Sequence, residues 1–320
     1  MRAPAFWQHD GVLPALLAPL ARVVAAATAR RVARPGWHAP VPVVCCGNPG
    51  VGGAGKTTLA LDLGARLLAH GHAVAFLTRG YGGRSSGVWR VDPARDGAAE
   101  VGDESLLLAA VAPTYVAADR AAGARAAIAA GATVLVMDDG LQNPTLAKSV
   151  SLLVIDGAAG FGNGRVLPAG PLREPAAVAA ARCRAAVLIG ADERGAARQL
   201  PAGLPVLRAS LRPAAEVAGF AGRRALAYAG IGRPEKFFAM LEAAGVILAA
   251  RVPFADHYRY TPADLARLHA QAAKLGAVPV TTPKDAARLP AGDRAKVSVI
   301  GVRLAWDDDA AIERLLTGLR

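Results

Sequence analysis

The sequence predicts an α/β fold, in which a parallel sheet carries helices on both of its faces and is followed by a smaller α/β domain. From residue 41 onward, short apolar runs alternate with stretches of helical spacing, as is typical of parallel strands joined by helical crossovers. A glycine-rich turn follows the first apolar run, and a later run, TVLVMDD at 133–139, ends in two aspartates. Hydrophobic residues make up 53% of the 320-residue chain, which favours a globular protein.

Three segments are expected along the chain: a helical segment at 1–40, a core at 41–204 and a smaller C-terminal α/β domain with linker strands at 205–320. The core contains the glycine-rich turn and the paired aspartates. From about residue 205, LPVLRASLRP indicates an extended linker, after which strand and helix patterns resume.

The N-terminal segment contains the apolar stretch GVLPALLAPLARVVAAATA. Pro14, Pro19 and Arg22 interrupt it, so it is expected to be too short and too broken for a transmembrane helix. Two interpretations remain open. The segment is either a helix lying in a membrane interface, or a helix that packs on the core ahead of the first strand.

The glycine-rich turn belongs to residues 41–58, VPVVCCGNPGVGGAGKTT, which fit the pattern GxxxxGK[ST] of P-loop NTPases between a strand and a helix. Glycines let backbone N–H groups turn toward phosphate oxygens, and the helix N-terminus adds partial positive charge. We expect Lys56 to reach the β- and γ-phosphates of the nucleotide and the Thr57 hydroxyl to contact Mg²⁺. The predicted nucleotide-binding residues are Asn48, Pro49, Gly50, Val51, Gly52, Gly53, Ala54, Gly55, Lys56, Thr57 and Thr58.

The aspartates Asp138 and Asp139 close a buried strand that would lie beside this loop. A hydrophobic strand that delivers a carboxylate next to a P-loop is the Walker B arrangement, which holds Mg²⁺ directly or through water. Both aspartates are therefore candidate metal ligands.

Further core stretches contribute candidates. AVAFLT at 73–78 predicts a strand that ends at Arg79, a candidate phosphate contact because open α/β sheets bind ligands beyond the carboxyl ends of their strands. Asp103 and Glu104 open a helical pattern, where capping alone would explain two carboxylates. The long loop at 161–175 is expected to be functional. The remaining predicted core elements are strands at 114–117, 151–156 and 184–190 and a helix at 120–130.

In the C-terminal segment, RALAYAGIGRPEKFF predicts a strand, a glycine turn and a helix. His257, next to Asp256 and among aromatic residues, is a candidate cleft histidine, although the residue taken alone favours a solvated or capping histidine. Further strands are expected near 246–252, 278–282 and 297–302, with helices near 262–273 and 309–319.

The formal net charge of +12 is spread along the chain. It favours an anionic partner, which could be nucleic acid, an acidic membrane surface or a phosphorylated substrate, or it reflects solubility and an arginine-rich coding bias. Cys45, Cys46 and Cys183 form no disulfide framework and lack metal-ligand spacing, which fits a reducing compartment.

Seven stretches together resemble the tetraacyldisaccharide 4'-kinases, enzymes of lipid A biosynthesis. The stretches keep their order and span most of the chain from about residue 40 to 290. They are GNPGVGGAGKT (47–57), TRGYGG (78–83), GDE (102–104), DDGLQ (138–142), LPAGPLREP (167–175), AGIGRPEKFF (229–238) and DHYRYT (256–261).

The resemblance implies transfer of the γ-phosphoryl group of ATP, with Mg²⁺, to the 4'-hydroxyl of a tetraacyl disaccharide 1-phosphate, an anionic glycolipid. It also implies a peripheral enzyme on the cytoplasmic face of a Gram-negative inner membrane, with no nucleic acid and no obligate protein partner. The N-terminal segment is then expected to be a membrane-surface helix, and the positive net charge is expected to be attracted to an anionic lipid.

The resemblance further implies residue roles. Asp103 would accept the proton of the sugar hydroxyl, with His257 as a partner that helps match the carboxylate to the working pH. Glu104 joins Thr57, Asp138 and Asp139 as a candidate metal ligand. Candidates for substrate and phosphate contacts are Arg79, Arg120, Gln142, Arg173 and Glu174.

The chain departs from the family pattern in two places. It has DDGLQN where the family commonly has DDGFQH, which places Leu141 and Asn143 there, and ThrProLysAsp at 282–285 where the family has TEKD. Neither departure is expected to touch the phosphate machinery.

Two rival classes of protein fit the sequence less well. A GTPase should show DxxG, but Leu141 stands where glycine is needed, and a nucleic-acid-dependent ATPase should show a stacking platform, but aromatic residues are only 5% of the chain.

Overall fold

The computed structural model describes residues 4–319, so the outer ends of the predicted first and last segments, residues 1–3 and 320, lie outside the described residues. Within this range the strands form a larger sheet and a smaller one. The strands are β1 (Val43–Gly47), β2 (Val74–Thr78), β3 (Val88–Arg90), β4 (Thr114–Ala117), β5 (Val134–Asp138), β6 (Val150–Asp156), β7 (Ala185–Ile189), β8 (Val206–Pro213), β9 (Arg224–Ala229), β10 (Ile247–Pro253), β11 (Val278–Thr281), β12 (Ser298–Val299) and β13 (Val302–Trp306).

The α-helices of the same range alternate with these strands. They are α1 (Val12–Val32), α2 (Lys56–Ala69), α3 (Ala98–Val101), α4 (Asp103–Ala109), α5 (Arg120–Ala129), α6 (Ala176–Ala180), α7 (Pro234–Ala243), α8 (Pro262–Lys274), α9 (Pro283–Ala286), α10 (Ala291–Arg294) and α11 (Asp309–Thr317).

The larger sheet runs in the order β13-β8-β7-β6-β1-β5-β2-β4-β3. Strand β1 pairs in parallel with both β5 and β6, so the chain following β1 leaves the middle of the sheet. Only the edge pairs β3–β4 and β8–β13 are antiparallel among the described strands. Helices α1 and α5 contribute to the hydrophobic cluster on one face, and α2, α4 and α11 contribute to the cluster on the other. The predicted fold class is confirmed.

The smaller sheet, in the order β10-β9-β11-β12, is entirely parallel. Helix α7 covers one face, where Phe237, Phe238 and Leu241 are buried, and α8 covers the other through Leu265 and Leu268. We call this unit the second lobe and the unit around the larger sheet the first lobe.

The stretch predicted as an extended linker forms a strand of the larger sheet. Residues 206–213 form β8, which pairs in parallel with β7, and β13 adds to it in antiparallel register, with Leu304 opposite Leu211. The predicted boundary at residue 205 therefore does not coincide with a change of sheet. The reason is that β8 and β13, the two segments that flank the second lobe in sequence, gain backbone hydrogen bonds and burial by extending the larger sheet.

Helix α1 is uninterrupted over its 21 residues, so the expectation that its prolines would break it was wrong. Pro14 lies in the first turn, where no intrahelical N–H bond is lost, and Pro19 is accommodated within the helix.

By length and composition α1 could cross a membrane, and it is the one such helix within residues 4–319. Its inner side packs against the first lobe through Leu17, Val24 and Ala25. A second stripe of apolar side chains faces outward: Val12, Leu13, Leu16, Leu20 and Val23.

Truncation of Ile312 on α11 tests whether this C-terminal helix belongs to the first lobe. The side chain is fully buried in the cluster that α2 and β13 share. We expect Ile312→Ala to lower the free energy of unfolding by about 2–4 kcal/mol, because it leaves a cavity in that core. Chemical denaturation followed by tryptophan fluorescence measures the change. Arg314→Ala, an exposed position on the same helix, should change it by no more than about 0.5 kcal/mol. Equal effects of the two variants would contradict this packing.

Candidate active site

The P-loop leaves the carboxyl end of β1 and passes directly into helix α2. Gly52 and Gly55 adopt positive φ angles of 116° and 90°, which side-chain-bearing residues rarely adopt. A Cβ placed on Gly52 or Gly53 would meet nothing within 4 Å, so both residues border open space. The first N–H groups of α2 lack intrahelical acceptors and, together with the helix dipole, favour an anion at this point.

The start of the P-loop is held by the loop at 161–175. The backbone N–H of Val51 donates to Pro171 O (2.9 Å), and the N–H of Arg173 donates to Pro49 O (2.6 Å). Asn48 supports the same turn from within, since its side-chain amide donates to Val154 O at 2.6 Å and its oxygen accepts from the Gly50 N–H. Asn48, Gly50 and Val51 thus shape the loop through these contacts, and the nucleotide contacts of the loop stay a prediction.

Asp138 and Thr57 lie together beneath the P-loop. The Thr57 hydroxyl donates to Asp138 Oδ2 at 2.9 Å. Asp138 is 1% exposed, and its Oδ1 is buried without a hydrogen-bond partner within residues 4–319. Burial, reinforced by the negative charge of Glu104, raises the pKa of this carboxyl well above its usual range. A buried oxygen pair with an unsatisfied acceptor fits Mg²⁺, which prefers a few oxygen ligands and completes its shell with phosphates and water.

Asp139 faces two cations. Its carboxylate lies 3.7 Å from Lys56 Nζ and accepts hydrogen bonds from the Arg173 guanidinium at 3.1 and 3.2 Å. Its φ of 52° is left-handed, a conformation that aspartate tolerates better than most residues and that is common at functional sites. Burial would raise its pKa, but Lys56 and Arg173 hold it below its usual range. Asp139 therefore holds the side chains of Lys56 and Arg173 next to each other at the P-loop.

Gln142 and Glu174 are buried and support Arg173 from behind. The Gln142 side-chain oxygen accepts from Arg173 at 3.3 Å, and its amide donates to Glu174 Oε1 at 2.8 Å. Glu174, 2% exposed, also accepts two hydrogen bonds from Arg182 at 2.8 Å. The hydrogen bonds of both side chains go to protein groups, and their contact with substrate or phosphate stays a prediction. No sequence motif pointed to Arg182, because its contact with Glu174 depends on how the loop at 161–175 folds.

The two remaining arginine candidates differ in exposure. Arg79 is exposed at the carboxyl end of β2. Arg120 is 2% exposed, and its guanidinium donates to Ala117 O. Burial lowers the pKa of Arg120 to about 10, which the charge of Asp139 partly offsets. The Arg120 guanidinium is thus engaged by the protein backbone, whereas Arg79 stays a candidate phosphate contact.

Asp103 is held in place by two close backbone contacts. Gly102, just before it, has a φ of 83°, and a Cβ there would lie 2.6 Å from Tyr81 O. Gly83 approaches the same turn so closely that its Cβ would lie 2.5 Å from Glu100 O. Glycine at both positions lets the TRGYGG and GDE stretches pack together, which brings Asp103 to the interface with the second lobe.

Asp103 meets two residues of the second lobe, His257 and Arg288. His257 Nδ1 lies 3.1 Å from Asp103 Oδ2, which also accepts from Arg288 Nε at 2.9 Å and from its Nη2. The φ of His257 is 56°, again left-handed. The predicted Asp103–His257 pair is therefore present, although 154 residues separate the two in the chain.

The electrostatics of this pair differ from the sequence expectation. Burial alone would raise the pKa of Asp103, but the hydrogen bond with His257 and the charge and hydrogen bonds of Arg288 hold it below its usual range. The hydrogen bond to Asp103 raises the pKa of His257. These contacts favour the ionised form of Asp103. The pKa shift is opposite to the tuning toward neutral pH that the family resemblance implied.

Glu104 pairs with Lys284 Nζ at 2.5 Å. Lys284 belongs to the ThrProLysAsp stretch, in which only Pro283 departs from the family pattern. Pro283 itself occupies the first turn of α9, a position that suits proline. Of the four candidate metal ligands, only Thr57 and Asp138 are in contact, and no group of three His, Cys, Asp or Glu side chains within 4–319 is placed to hold a metal alone.

The other departures lie within the first lobe. Leu141 is 2% exposed and packs against Gly47, where a Cβ would come within 2.4 Å of the leucine Cβ. The Asn143 side chain accepts from Thr145 and donates to Ala118 O at 3.2 Å, which fixes the loop after β5. These replacements hold the loop in place through packing and backbone hydrogen bonds.

A second contact between the lobes lies on the other side of the P-loop. Arg233, just before α7, forms an ion pair with Asp156 at the carboxyl end of β6, the strand next to β1. The P-loop is therefore flanked by two ionic contacts from the second lobe. The arrangement can bind a polyphosphate at the P-loop while Asp103 of the same lobe meets His257 and Arg288 of the second lobe at the interface. Phosphoryl transfer between two bound molecules requires such a juxtaposition.

Comparison with known proteins agrees with this geometry. A family model described as tetraacyldisaccharide-1-P 4'-kinase matches residues 13–320. The chain is 62% identical over 318 residues to the tetraacyldisaccharide 4'-kinase of Gluconacetobacter diazotrophicus, covering 99% of this chain and 97% of the relative. It is 56% identical over 327 residues to that of Rhodospirillum centenum, covering 100% and 97%.

The crystal structure of LpxK from Aquifex aeolicus in complex with ATP is similar throughout, with a TM-score of 0.76 and 25% sequence identity. The likeness covers 96% of this chain and 99% of that one. Sequence and fold therefore agree over nearly the full length, and the chain belongs to the tetraacyldisaccharide-1-P 4'-kinase family.

Proposed function

We propose that the P-loop of the first lobe binds ATP with its γ-phosphate toward Asp103, and that the 4'-hydroxyl of the lipid attacks there. As a member of its family the chain is an ATP-dependent tetraacyldisaccharide 4'-kinase of lipid A biosynthesis. The observation that carries the site assignment is the contact between Asp103 of the first lobe, which also contains the P-loop, and His257 of the second lobe. The ATP bound to the Aquifex relative supports the nucleotide assignment.

The roles of the side chains follow from their charges. Lys56, 3.7 Å from Asp139, places an ammonium group where the β- and γ-phosphates would lie, and Arg173 adds a guanidinium on the other side of the same carboxylate. Both would stabilise charge that shifts onto phosphate oxygens in the transition state. Asp103 and His257 would orient the acceptor hydroxyl and take its proton. A weakly basic carboxylate suffices, because a loose phosphoryl-transfer transition state needs positioning more than basicity.

Thr57 and Asp138 would hold Mg²⁺, with Glu104 as a further carboxylate nearby. The ion would neutralise charge on the phosphates and orient them. Asp138 is the preferred ligand over Asp139, because its Oδ1 has no partner within residues 4–319 whereas Asp139 is engaged by two cations.

A transfer assay tests the function. Purified full-length protein is incubated in detergent with γ-labelled ATP, Mg²⁺ and tetraacyldisaccharide 1-phosphate, and the lipid is extracted and counted. We expect label on the lipid. GTP in place of ATP should serve poorly if the site is that of a metabolic kinase. Hydrolysis of ATP without label on the lipid would contradict the assignment.

Substitution of His257 tests its place as the partner of Asp103. The imidazole contacts Asp103 but is 38% exposed, whereas Arg288 still holds the carboxylate. We therefore expect His257→Ala to reduce kcat by about tenfold, less than loss of the carboxylate itself. Steady-state kinetics with saturating ATP measures this. An unchanged rate would assign His257 to a solvated surface role.

We also propose that the outward stripe of α1 lies in the cytoplasmic surface of the inner membrane. Leu13, Leu16, Leu20 and Val23 recur at helical spacing and are exposed, and Arg30 and Arg31 follow in the last turn. An apolar stripe with basic residues at its end is suited to an interface that contains anionic lipid. The acyl chains of the substrate lie in the same membrane, so this placement would keep the kinase beside its acceptor.

Vesicle flotation tests this placement. The double variant Leu16→Glu, Leu20→Glu should lose most binding to vesicles that contain anionic phospholipid, since two carboxylates replace the buried apolar contact. Ile247→Glu, which alters a similarly exposed apolar residue on the second lobe, should bind as the wild type does. Equal binding of all three proteins would show that α1 does not carry the attachment.

A further inference from the structure

We propose that Arg288 is the positioning residue for the Asp103 carboxylate, and that Asp285 fixes Arg288 in turn. The inference rests on the proposed function, which gives Asp103 its role at the acceptor hydroxyl. It assigns a role in the known reaction to the segment 282–288 of the second lobe, which sequence motifs alone did not connect with catalysis.

The hydrogen bonds to Asp103 divide its two oxygens. Oδ2 accepts from Arg288 Nε (2.9 Å), from Arg288 Nη2 and from His257 Nδ1 (3.1 Å), whereas Oδ1 accepts from the Glu104 backbone N–H at 2.9 Å. A carboxylate oxygen offers about two lone-pair sites. Oδ2 is therefore fully engaged, and Oδ1 retains the acceptor site that can receive a hydrogen bond from the sugar hydroxyl.

Arg288 is well placed to impose this orientation because it is itself fixed. Its side chain is 5% exposed, and its Nη1 donates to Gly230 O at 2.8 Å and to Asp285 Oδ1 at 3.1 Å. The guanidinium thus donates hydrogen bonds to Asp103 from one edge and to groups of its own lobe from another. A planar fork with several donors makes such a bridge, whereas a lysine ammonium would supply only a point charge.

Asp285 is fully buried, and three groups of its own lobe besides Arg288 donate to its carboxylate. Tyr260 donates to Oδ1 at 2.8 Å, the Gly230 N–H donates to the same oxygen at 2.9 Å, and the Thr282 hydroxyl donates to Oδ2. The Thr282 oxygen in turn accepts from the Asp285 backbone N–H, which completes a helix cap. Buried charged networks that are satisfied in this way rigidify their surroundings. The hydrogen bonds between Asp285 and Arg288 and between Arg288 and Asp103 therefore hold the carboxylate of the first lobe rigidly against the second lobe.

The experiment compares Arg288→Ala, Arg288→Lys and the control Arg294→Ala in the full-length protein, with ATP and tetraacyldisaccharide 1-phosphate in detergent. Arg294 donates to Ala286 O and Leu289 O and so supports the same segment without contact to Asp103. We expect kcat of Arg288→Ala to fall about 10–100-fold, with KM for ATP and for lipid changed less than about threefold. Arg288→Lys should fall between that variant and the wild type, and Arg294→Ala should keep the wild-type kcat.

Addition of guanidinium ion at non-denaturing concentration separates positioning of Asp103 from a purely structural role of Arg288, because the free ion could restore kcat only if it replaces the missing side chain beside Asp103. It should restore part of kcat in Arg288→Ala and none in Asp103→Ala. An unchanged kcat, or a loss in which both KM values rise equally and guanidinium has no effect, would overturn the proposal. If Arg288→Ala does not fold, an unchanged kcat in Arg288→Lys overturns it instead. An inactive wild type would refute the proposed function and this inference with it.

Discussion

Replacement of Asp103 by alanine or asparagine should reduce kcat by about 100- to 10,000-fold, the range expected when a positioned proton acceptor is lost. The carboxylate is 4% exposed at the lobe interface and contacts His257 and Arg288, whereas the P-loop lies on other elements. ATP affinity should therefore stay within about threefold of the wild-type value. Steady-state kinetics and nucleotide titration measure the two quantities separately.

Two controls make the Asp103 result specific. Asp103→Asn keeps the shape of the side chain while removing its charge, so agreement between the two variants identifies the charge as the cause. Glu242→Ala removes a carboxylate from an exposed ion pair with Arg251 and should leave kcat unchanged. If ATP affinity fell as far as kcat in the Asp103 variants, the residue would serve the metal site or the lobe structure.

Loss of Lys56 should reduce kcat/KM by about 100- to 1,000-fold, as measured when one preorganised donor is removed from a transition state. The ammonium group is 11% exposed and lies between Gly52 O, at 3.3 Å, and Asp139 Oδ1. In Lys56→Ala the Asp139 carboxylate keeps Arg173 as its partner, so the loop should still fold. The deficit should appear mainly in kcat, because the ammonium interacts most strongly with charge that develops during transfer.

A surface lysine supplies the comparison for Lys56. Lys296 is 64% exposed and pairs only weakly with Asp293, so Lys296→Ala should leave kcat/KM as it is. Thermal unfolding of both variants separates catalytic from structural loss. A Lys56→Ala enzyme with wild-type kcat/KM would contradict the P-loop assignment.

The parts of the site that the sequence predicted are those whose signal is local. The P-loop needs its glycines, Lys56 and Thr57 in one contiguous stretch between a strand and a helix, and the Asp138 strand carries its own hydrophobic pattern. Both motifs are short because phosphate and Mg²⁺ contacts come from one turn of backbone and one strand end. The fold class followed from the same alternation of strands and helices.

The cross-lobe cations could not be predicted in the same way. Lys284 and Glu104 are 180 residues apart, and Arg288 and Asp103 are 185 apart, so their pairing depends on how the second lobe docks. Charged residues at helix starts also suit capping, and nothing in the local pattern separates the two uses. Strand β8 was missed for a related reason, because only its partners β7 and β13 distinguish it from an extended linker.

The most direct test of the account is to locate the phosphate that the enzyme adds. Phosphorus–proton correlation NMR of the purified lipid product reports which sugar proton couples to the new phosphate. We expect coupling to the proton on carbon 4', in a product that forms with the wild type and is reduced at least about 100-fold with Asp103→Ala. Coupling at another position, or wild-type amounts of product from the Asp103 variant, would contradict it.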